Sequence, residues 1–568
     1  MKSQVKVAVQ QITNQASTSF MDFKNYKMKK IYILLLTFCT TLVGCDDDLL
    51  DKKPVTTLNP STFWQNEDEA EMAVNALYTF LPKITQVYMD NNTEHSVEPY
   101  VGGNVITNGQ VQVTSAVINN WWNNHYRAVS AANRFLEEVN AVPEDKMSPE
   151  MMARLMAEAR FIRAVNYTFL VNYFGDVPFF TEPLSVAEAA TISRTDKQVV
   201  LDFIDKELTE IADILPKVYT GNDKGRITKG AALAWKARAM LWSKQYQKAA
   251  DAAKAVIDLN QYALHSNYTD LFKYSGEYTN NEVILEYIYT EVTGHNFMRQ
   301  VTPYGISNQT TGLTVNPTAL LVDEYETING LAPAADPAFN PEDPYRNRDP
   351  RLQATIWLPV FKTGSYADVL WGQTKPHDVR VGSKTKDEVN ALISGNQTGF
   401  LMKKYTNQED ITNITNSAQN YIILRYADVL LMYAEAKIEL GQMDASVVKA
   451  MNDVRSRVKL PTLETKGVNI SNQATMREAV RHERTVELAL EGWHFYDIRR
   501  WDIAQNLLNN LKPAPGMQYR DITTGQLKTV TWSAVNWNYQ KKNADHTYPI
   551  PWNEYNMNPN LLPQNEGW

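Results

Sequence analysis

The sequence predicts a mostly α fold, a scaffold of tetratricopeptide-like helical hairpins that carries a loop-rich, partly β variable region. Three observations predict it. Residues 150–174 are apolar on nearly every helical face, so a helix there must be buried on several sides. Residues 229–259 and 421–458 each show apolar positions at helical spacing on both sides of a break, the pattern of a helix pair. Gly, Pro, Asn and Thr collect between those pairs, over 262–420. The chain's 29 Tyr, 18 Phe and 13 Trp among 568 residues are far more than a fibre or a disordered chain buries, so the body is globular. A formal net charge of −8 opposes a nucleic-acid groove, which needs a basic stripe to displace counterions.

The first informative segment runs from Met28. Two lysines precede an apolar run from Ile31 to Val43, which ends in Leu42-Val43-Gly44-Cys45. A membrane-spanning helix needs about 20 such residues, so the run is too short to span and reads as a secretory signal. Cys45 directly after Gly44 resembles a bacterial lipobox, in which that cysteine becomes the mature N-terminus and carries the lipid. Residues 1–27 show no signal-like pattern, and Met28 is read as the true start. The organisation expected is a leader over 1–44, a lipidated tether over 45–60 and a single domain over 61–568. Its helical scaffold spans 61–261 and 421–568, around the variable insertion 262–420. Cleavage removes Cys39 and leaves Cys45 alone. Intrachain disulfides, catalytic thiols, cysteine-ligated zinc and iron–sulfur clusters are thereby excluded from the mature chain.

Within the scaffold, the helix over 150–174 is stopped by Gly175 and Pro178. In 229–259, Trp235, Ala239, Trp242 and Tyr246 precede a break and then Ala249, Ala253 and Val256, and the small alanines let two backbones approach. In 421–458, Leu430, Tyr433, Ala434 and Ile438 lead to Leu440-Gly441-Gln442, followed by Val448, Met451 and Val454. Such hairpins need neighbours to cover their open faces. In the insertion, the run VILEYIY is expected to form a strand in a small hairpin.

Catalytic motifs are missing. His482-Glu483-Arg484-Thr485-Val486 begins like HExxH but places Val where a second zinc-binding His must stand. There is no P-loop, no GxGxxG after a strand and no GxSxG. A pair of carboxylates for glycoside hydrolysis stays open, because its separation is spatial rather than sequential. Glu483, Glu487 and Glu491 fall on one i, i+4 row of the expected last helix, where like charges repel. Arg481, Arg484, Arg499 and Arg500 are the cations at hand, so the segment reads as a partly buried Arg/Glu network holding the last helix against the scaffold, with His494 a solitary packing residue.

The segments WWNNHYRAVSAANRFLEEV, AEARFIRAVNYTFLVNYFGDVPFF, GRITKGAALAWKARAMLW, YADVLLMYAEAKIELG and RHERTVELALEGWHFYDIRRW, with the tail YPIPWNEYNMNPNLLPQNEG, resemble the SusD/RagB family of surface-facing outer-membrane lipoproteins. The resemblance extends from the lipobox to the C-terminus. It implies a helical fold with four tetratricopeptide-like units and a non-enzymatic role. A member of that family captures glycans or other nutrients and delivers the oligosaccharide to a SusC-like TonB-dependent transporter barrel. It implies localisation at the outer face of the outer membrane, attachment only through the lipid on Cys45, and no nucleic-acid partner. The acidic cluster Asp46-Asp47-Asp48 resembles the family's signal for export to the outer leaflet. No cofactor is expected; calcium in the acidic loops is left open, without EF-hand spacing. The alternative function is a surface-attached glycoside hydrolase.

Sugar rings pack their C–H faces on Tyr and Trp and satisfy their hydroxyls with amides and charged groups. The candidate glycan contacts are Tyr88, Tyr100 and Asn104 in the first loop and Trp357, Tyr366 and Trp371 in the insertion. Trp121, Trp122, Trp235, Trp242 and Trp493 lie in helical patterns and are assigned to the core.

Overall fold

The structure, a computed structural model, describes residues 63–98, 104–277, 280–308, 313–389, 396–511, 514–532 and 537–568. The leader, the tether, Cys45 and the candidate Tyr100 lie outside the described residues. Residue contacts divide the chain into Met1–Trp64 and Gln65–Trp568, and every element below belongs to the second unit.

The scaffold is a continuous stack of helices, several of them started by a side-chain cap. Helix α1 (Glu67–Leu77) is capped by Asn66, whose side chain accepts from the Glu69 N–H, with acids filling the first turn. Helix α2 (Ala116–Glu138) packs on α3 (Pro149–Phe174), which begins with Ser148 as cap and Pro149 in the first turn and ends at Gly175 with φ +70°. Helix α4 (Lys197–Ile214) packs between α3 and α5 (Lys229–Trp242), and α5 folds back on α6 (Tyr246–Asp258) through the break at 243–245. Burial explains the apolar girth of α3: nearly all of its residues from Leu155 onward are enclosed. Trp235 on α5 is wholly buried, and its indole N–H donates to Thr168 Oγ1 on α3 at 3.1 Å.

The expected strand is present as β1 (Val283–Tyr287), but its partner is β2 (Tyr421–Arg425), antiparallel, with Val283 opposite Arg425. A local hairpin was expected there, and 421–425 was read as helix. Five consecutive buried residues, YIILR, explain the misreading, because a short apolar run has the same appearance in either state. Helix α7 (Tyr426–Glu439) then packs on α6, and α8 (Ala445–Arg457) and α9 (Gln473–Glu487) complete the stack. A two-stranded sheet of β3 (Ala514–Arg520) and β4 (Leu527–Trp532) follows the short helix α10 (His494–Arg500). No helix among the described residues is long and apolar enough to cross a membrane.

Glu491 does not continue the acidic row of α9. The helix stops at Glu487, and the chain turns through Leu490 (φ +57°) and Gly492 (φ +83°) before α10. A Cβ at 492 would lie 2.1 Å from the carbonyl oxygen of Gln86, so only glycine lets these two backbones meet. The cations facing the three glutamates also come from elsewhere. Arg351 reaches Glu483 at 2.6 Å and Glu487 at 2.9 Å, and Arg455 reaches Glu483 at 2.8 Å. Arg425 and Arg457 both pair with Glu487, and Lys404 pairs with Glu491 at 3.0 Å. Burial alone would raise the Glu487 carboxyl, but Arg457, Arg425 and Arg351 outweigh it and hold it well below the usual range. Of the four arginines read as partners, Arg484 bonds Asp428 and Asp497, and Arg500 bonds Glu435. Arg499 donates to Asn172, and Arg481 lies 3.6 Å from Glu439. The network therefore ties the insertion to the scaffold, through Arg351, Lys404 and Glu282, instead of holding one helix.

Candidate ligand-binding surface

At the end of β1, Tyr287 and Tyr289, two residues apart, bring their rings together on one side of the chain. Their rings lie 4.8 Å apart, and Tyr289 meets His295 edge-on at 4.5 Å. All three are half-buried. Tyr289 is anchored at both ends: its backbone N–H donates to Asn420 Oδ1 at 2.9 Å, and its hydroxyl accepts from the Ile84 N–H at 3.3 Å. The Lys83 ammonium stands 5.4 Å from the centre of the Tyr287 ring. Across the strip, Tyr88 stacks on Phe297 at 6.0 Å and donates its hydroxyl to Gln300.

His295 is committed rather than reactive. Its Nε2 lies 2.9 Å from the Gln419 carbonyl, its Nδ1 accepts from the Phe297 N–H at 3.3 Å, and burial lowers its basicity. Paired backbone bonds join His295 to Ser417 at 2.9 and 2.8 Å. That bridge places the aromatic strip beside a cleft of about 630 Å³ lined by Tyr274, Glu291, Glu409, Asp410, Asn413 and Asn416. Tyr274 donates to Asp410 at 2.8 Å, and Asn416 donates to the Glu291 carbonyl at 2.8 Å. Ring faces at a half-wet position beside amides and carboxylates form a surface suited to a polyhydroxylated ligand.

Opposite Tyr287, Glu286 faces the interior beside Glu277. Burial, reinforced by Glu277, pushes its carboxyl up to about 8. An unfolded Glu titrates near 4.5, so between these values the folded chain holds one more proton and stability falls as pH rises. The contribution is whole below about 4.5 and lost above about 8. Urea denaturation at pH 5 and pH 8.5 is expected to show the wild type losing roughly 2 to 4 kcal/mol more than Glu286→Gln, which carries no titrating proton. Parallel losses in the two proteins would contradict this.

The structure places the sequence candidates unevenly. Tyr88 joins the strip. Asn104 spends its carboxamide oxygen on the Ile106 N–H at 2.9 Å and its carbonyl on Asn108, as a turn residue does. Trp357 is 1% exposed and packs in a cluster with Met298, Ile306, Leu370 and Leu401, so its ring faces are closed. Trp371 is half-buried against that cluster, meets Trp357 edge-on at 4.9 Å and carries the Lys273 ammonium 4.8 Å from its centre. Tyr366 sits apart, its backbone N–H donating to Asp343 at 2.7 Å and its ring near Arg346.

Four of the five tryptophans assigned to the core are buried: Trp122, Trp235, Trp242 and Trp493. Trp121 is not. It is half-buried, stacks one face on Tyr173 at 4.2 Å and lines a second cleft of about 480 Å³ with Phe80, Gln86 and Asn124. Helical spacing located the residue, but the cleft that it lines, walled on another side by residues of the segment 79–89, leaves it partly uncovered. Tyr287, Tyr289, His295 and Lys83 were not singled out. The signal that could have found the two tyrosines is their i, i+2 spacing at the end of a predicted strand.

A profile described as the SusD family matches residues 281–568, and a second, described as starch-binding and associating with outer membrane, matches residues 48–241. A SusD-like protein P25 of Formosa agariphila is 27% identical over 506 residues, covering 85% of this chain and 91% of the relative. A solved SusD-like carbohydrate binding protein from Bacteroides fragilis superposes with a TM-score of 0.76 at 28% identity, covering 88% of this chain and all of its own. The surface glycan-binding protein A of Bacteroides uniformis shares the fold, with a TM-score of 0.63 at 19% identity over 88% of this chain and 99% of its own.

Proposed function

The chain belongs to the SusD family, and from that premise we propose that it is a non-catalytic, outer-membrane glycan-binding protein that captures oligosaccharide on the Tyr287–Tyr289–His295 strip. The observation that carries this reading is the strip itself: two neighbouring tyrosine rings, 4.8 Å apart and inclined by 48°, beside a polar cleft. The carbohydrate binding named for the Bacteroides fragilis relative supports it. So does the outer-membrane association in the description matched by residues 48–241. Each aromatic face buried against a sugar contributes about 1 to 2 kcal/mol. Two or three faces, less the entropy of association, give micromolar-to-millimolar capture. Weak capture suits a relay, and the proposed recipient is a SusC-like TonB-dependent barrel, with the protein tethered beside it through lipid on Cys45.

The test is native electrophoresis through gels containing a panel of soluble polysaccharides, with a parallel assay for released reducing ends. Retardation by at least one polymer without new ends is the expected result. Release of ends that is lost on substituting one Asp or Glu would make the protein a surface-attached glycoside hydrolase instead.

A further inference from the structure

Where the 3₁₀ segment Ile84–Asn92 runs into the scaffold, Glu94 and His95 meet His494 of α10 in the interior. His95 is fully enclosed, and His494 and Glu94 are 5% and 9% exposed. His494 is therefore not solitary: its Nε2 lies 2.8 Å from Glu94 Oε1, and its ring stacks on that of His95 with centroids 3.7 Å apart. His95 Nε2 is 3.5 Å from the same carboxylate oxygen.

This small volume is poorly satisfied. Both ring nitrogens of His95, Nδ1 of His494 and Oε2 of Glu94 are buried without a hydrogen-bond partner, and so is Oδ1 of Asp90 four residues upstream. Buried polar atoms normally find partners, and a group of orphans at one point needs an explanation. One donor atom from each of Glu94, His95 and His494 lies within 4.8 Å of the other two. Two imidazole nitrogens and one carboxylate oxygen form a donor set typical of zinc and its first-row neighbours, not of calcium or magnesium, which take oxygen.

We propose that Glu94, His95 and His494 bind one divalent transition-metal ion of the zinc class, which braces the segment carrying Tyr88 and Lys83 against the C-terminal scaffold. Ligation at about 2.0 to 2.2 Å needs the donors drawn together and the stacked rings opened. The His95 ring can turn at no cost in hydrogen bonds, since neither of its ring nitrogens makes one. The enclosure of all three side chains makes the ion structural, away from the strip proposed to hold ligand.

The test uses the full chain, stripped with a chelator and titrated with zinc chloride by calorimetry. One zinc per chain is expected, with affinity at least about a hundredfold lower in Glu94→Gln and in His494→Gln, given that losing even an outer-shell partner costs 10- to 100-fold. Substoichiometric binding, or unchanged affinity in both variants, would overturn the proposal. If the variants fold poorly, X-ray absorption of the zinc-loaded wild type decides: a first shell containing two imidazole nitrogens supports it, and a shell without imidazole overturns it.

Discussion

Replacing Glu487 by Gln is expected to destabilise the protein by about 3 to 5 kcal/mol, enough to abolish soluble expression in many backgrounds. The reason is the asymmetry of buried ion pairs. Three guanidinium groups, those of Arg351, Arg425 and Arg457, converge on this one carboxylate, and all four side chains are 2% exposed or less. The attraction that holds such a cluster together is repaid only while the charges balance. Removing the anion strips one partner from each of three cations, which keep only Asp349, Glu483, Glu491 and Glu282 among them and can neither reach water nor give up their protons. An exposed pair behaves differently: Lys254→Ala, which breaks an i, i+4 contact with Asp258 on α6, is expected to change stability by less than about 1 kcal/mol. Chemical denaturation of the two variants checks the contrast, and a Glu487→Gln protein as stable as Lys254→Ala would show that the network contributes no more than a surface pair.

The second large effect concerns capture. Tyr287→Ala with Tyr289→Ala removes both rings of the strip, and at about 1 to 2 kcal/mol per face the double variant is expected to bind any retained glycan some 30-fold to several hundredfold more weakly. Tyr289→Phe separates the ring from the hydroxyl. It keeps the packing face and loses only the bond accepted from Ile84, so its affinity is expected to stay within about threefold of wild type. Calorimetry or affinity electrophoresis with the retained polymer measures all three. An unaffected double variant, with a native circular dichroism spectrum, would mean that the ligand lies elsewhere.

Much of the fold was legible in the residues because the relevant signals are local. The all-round apolarity of α3, the alanine-lined break between α5 and α6 and the 3.6-residue period of α7 and α8 each reflect a face that must be covered. What escaped is non-local. The pairing of β1 with β2, the arginines that answer Glu487 from 30 to 136 residues away and the sharp turn at Gly492 that follows α9 all depend on other segments of the chain, the last on a close approach of Gln86. The site divides in the same way. Tyr88 and Trp357 are both conspicuous as aromatics in polar stretches, yet Tyr88 lies half-buried against Phe297 and Trp357 is buried. Composition identifies a ring but not which face stays open. His494 lost its solitary status only when Glu94, some four hundred residues earlier, came within 2.8 Å of it.

The most direct test of the account is a crystal structure of the protein soaked with an oligosaccharide cut from whichever polymer retards it. Sugar rings stacked over Tyr287 and Tyr289, with hydroxyls directed to the cleft of Asn413 and Asn416, are the predicted result. Ligand density confined to the other cleft, against Trp121 and Phe80, would contradict it.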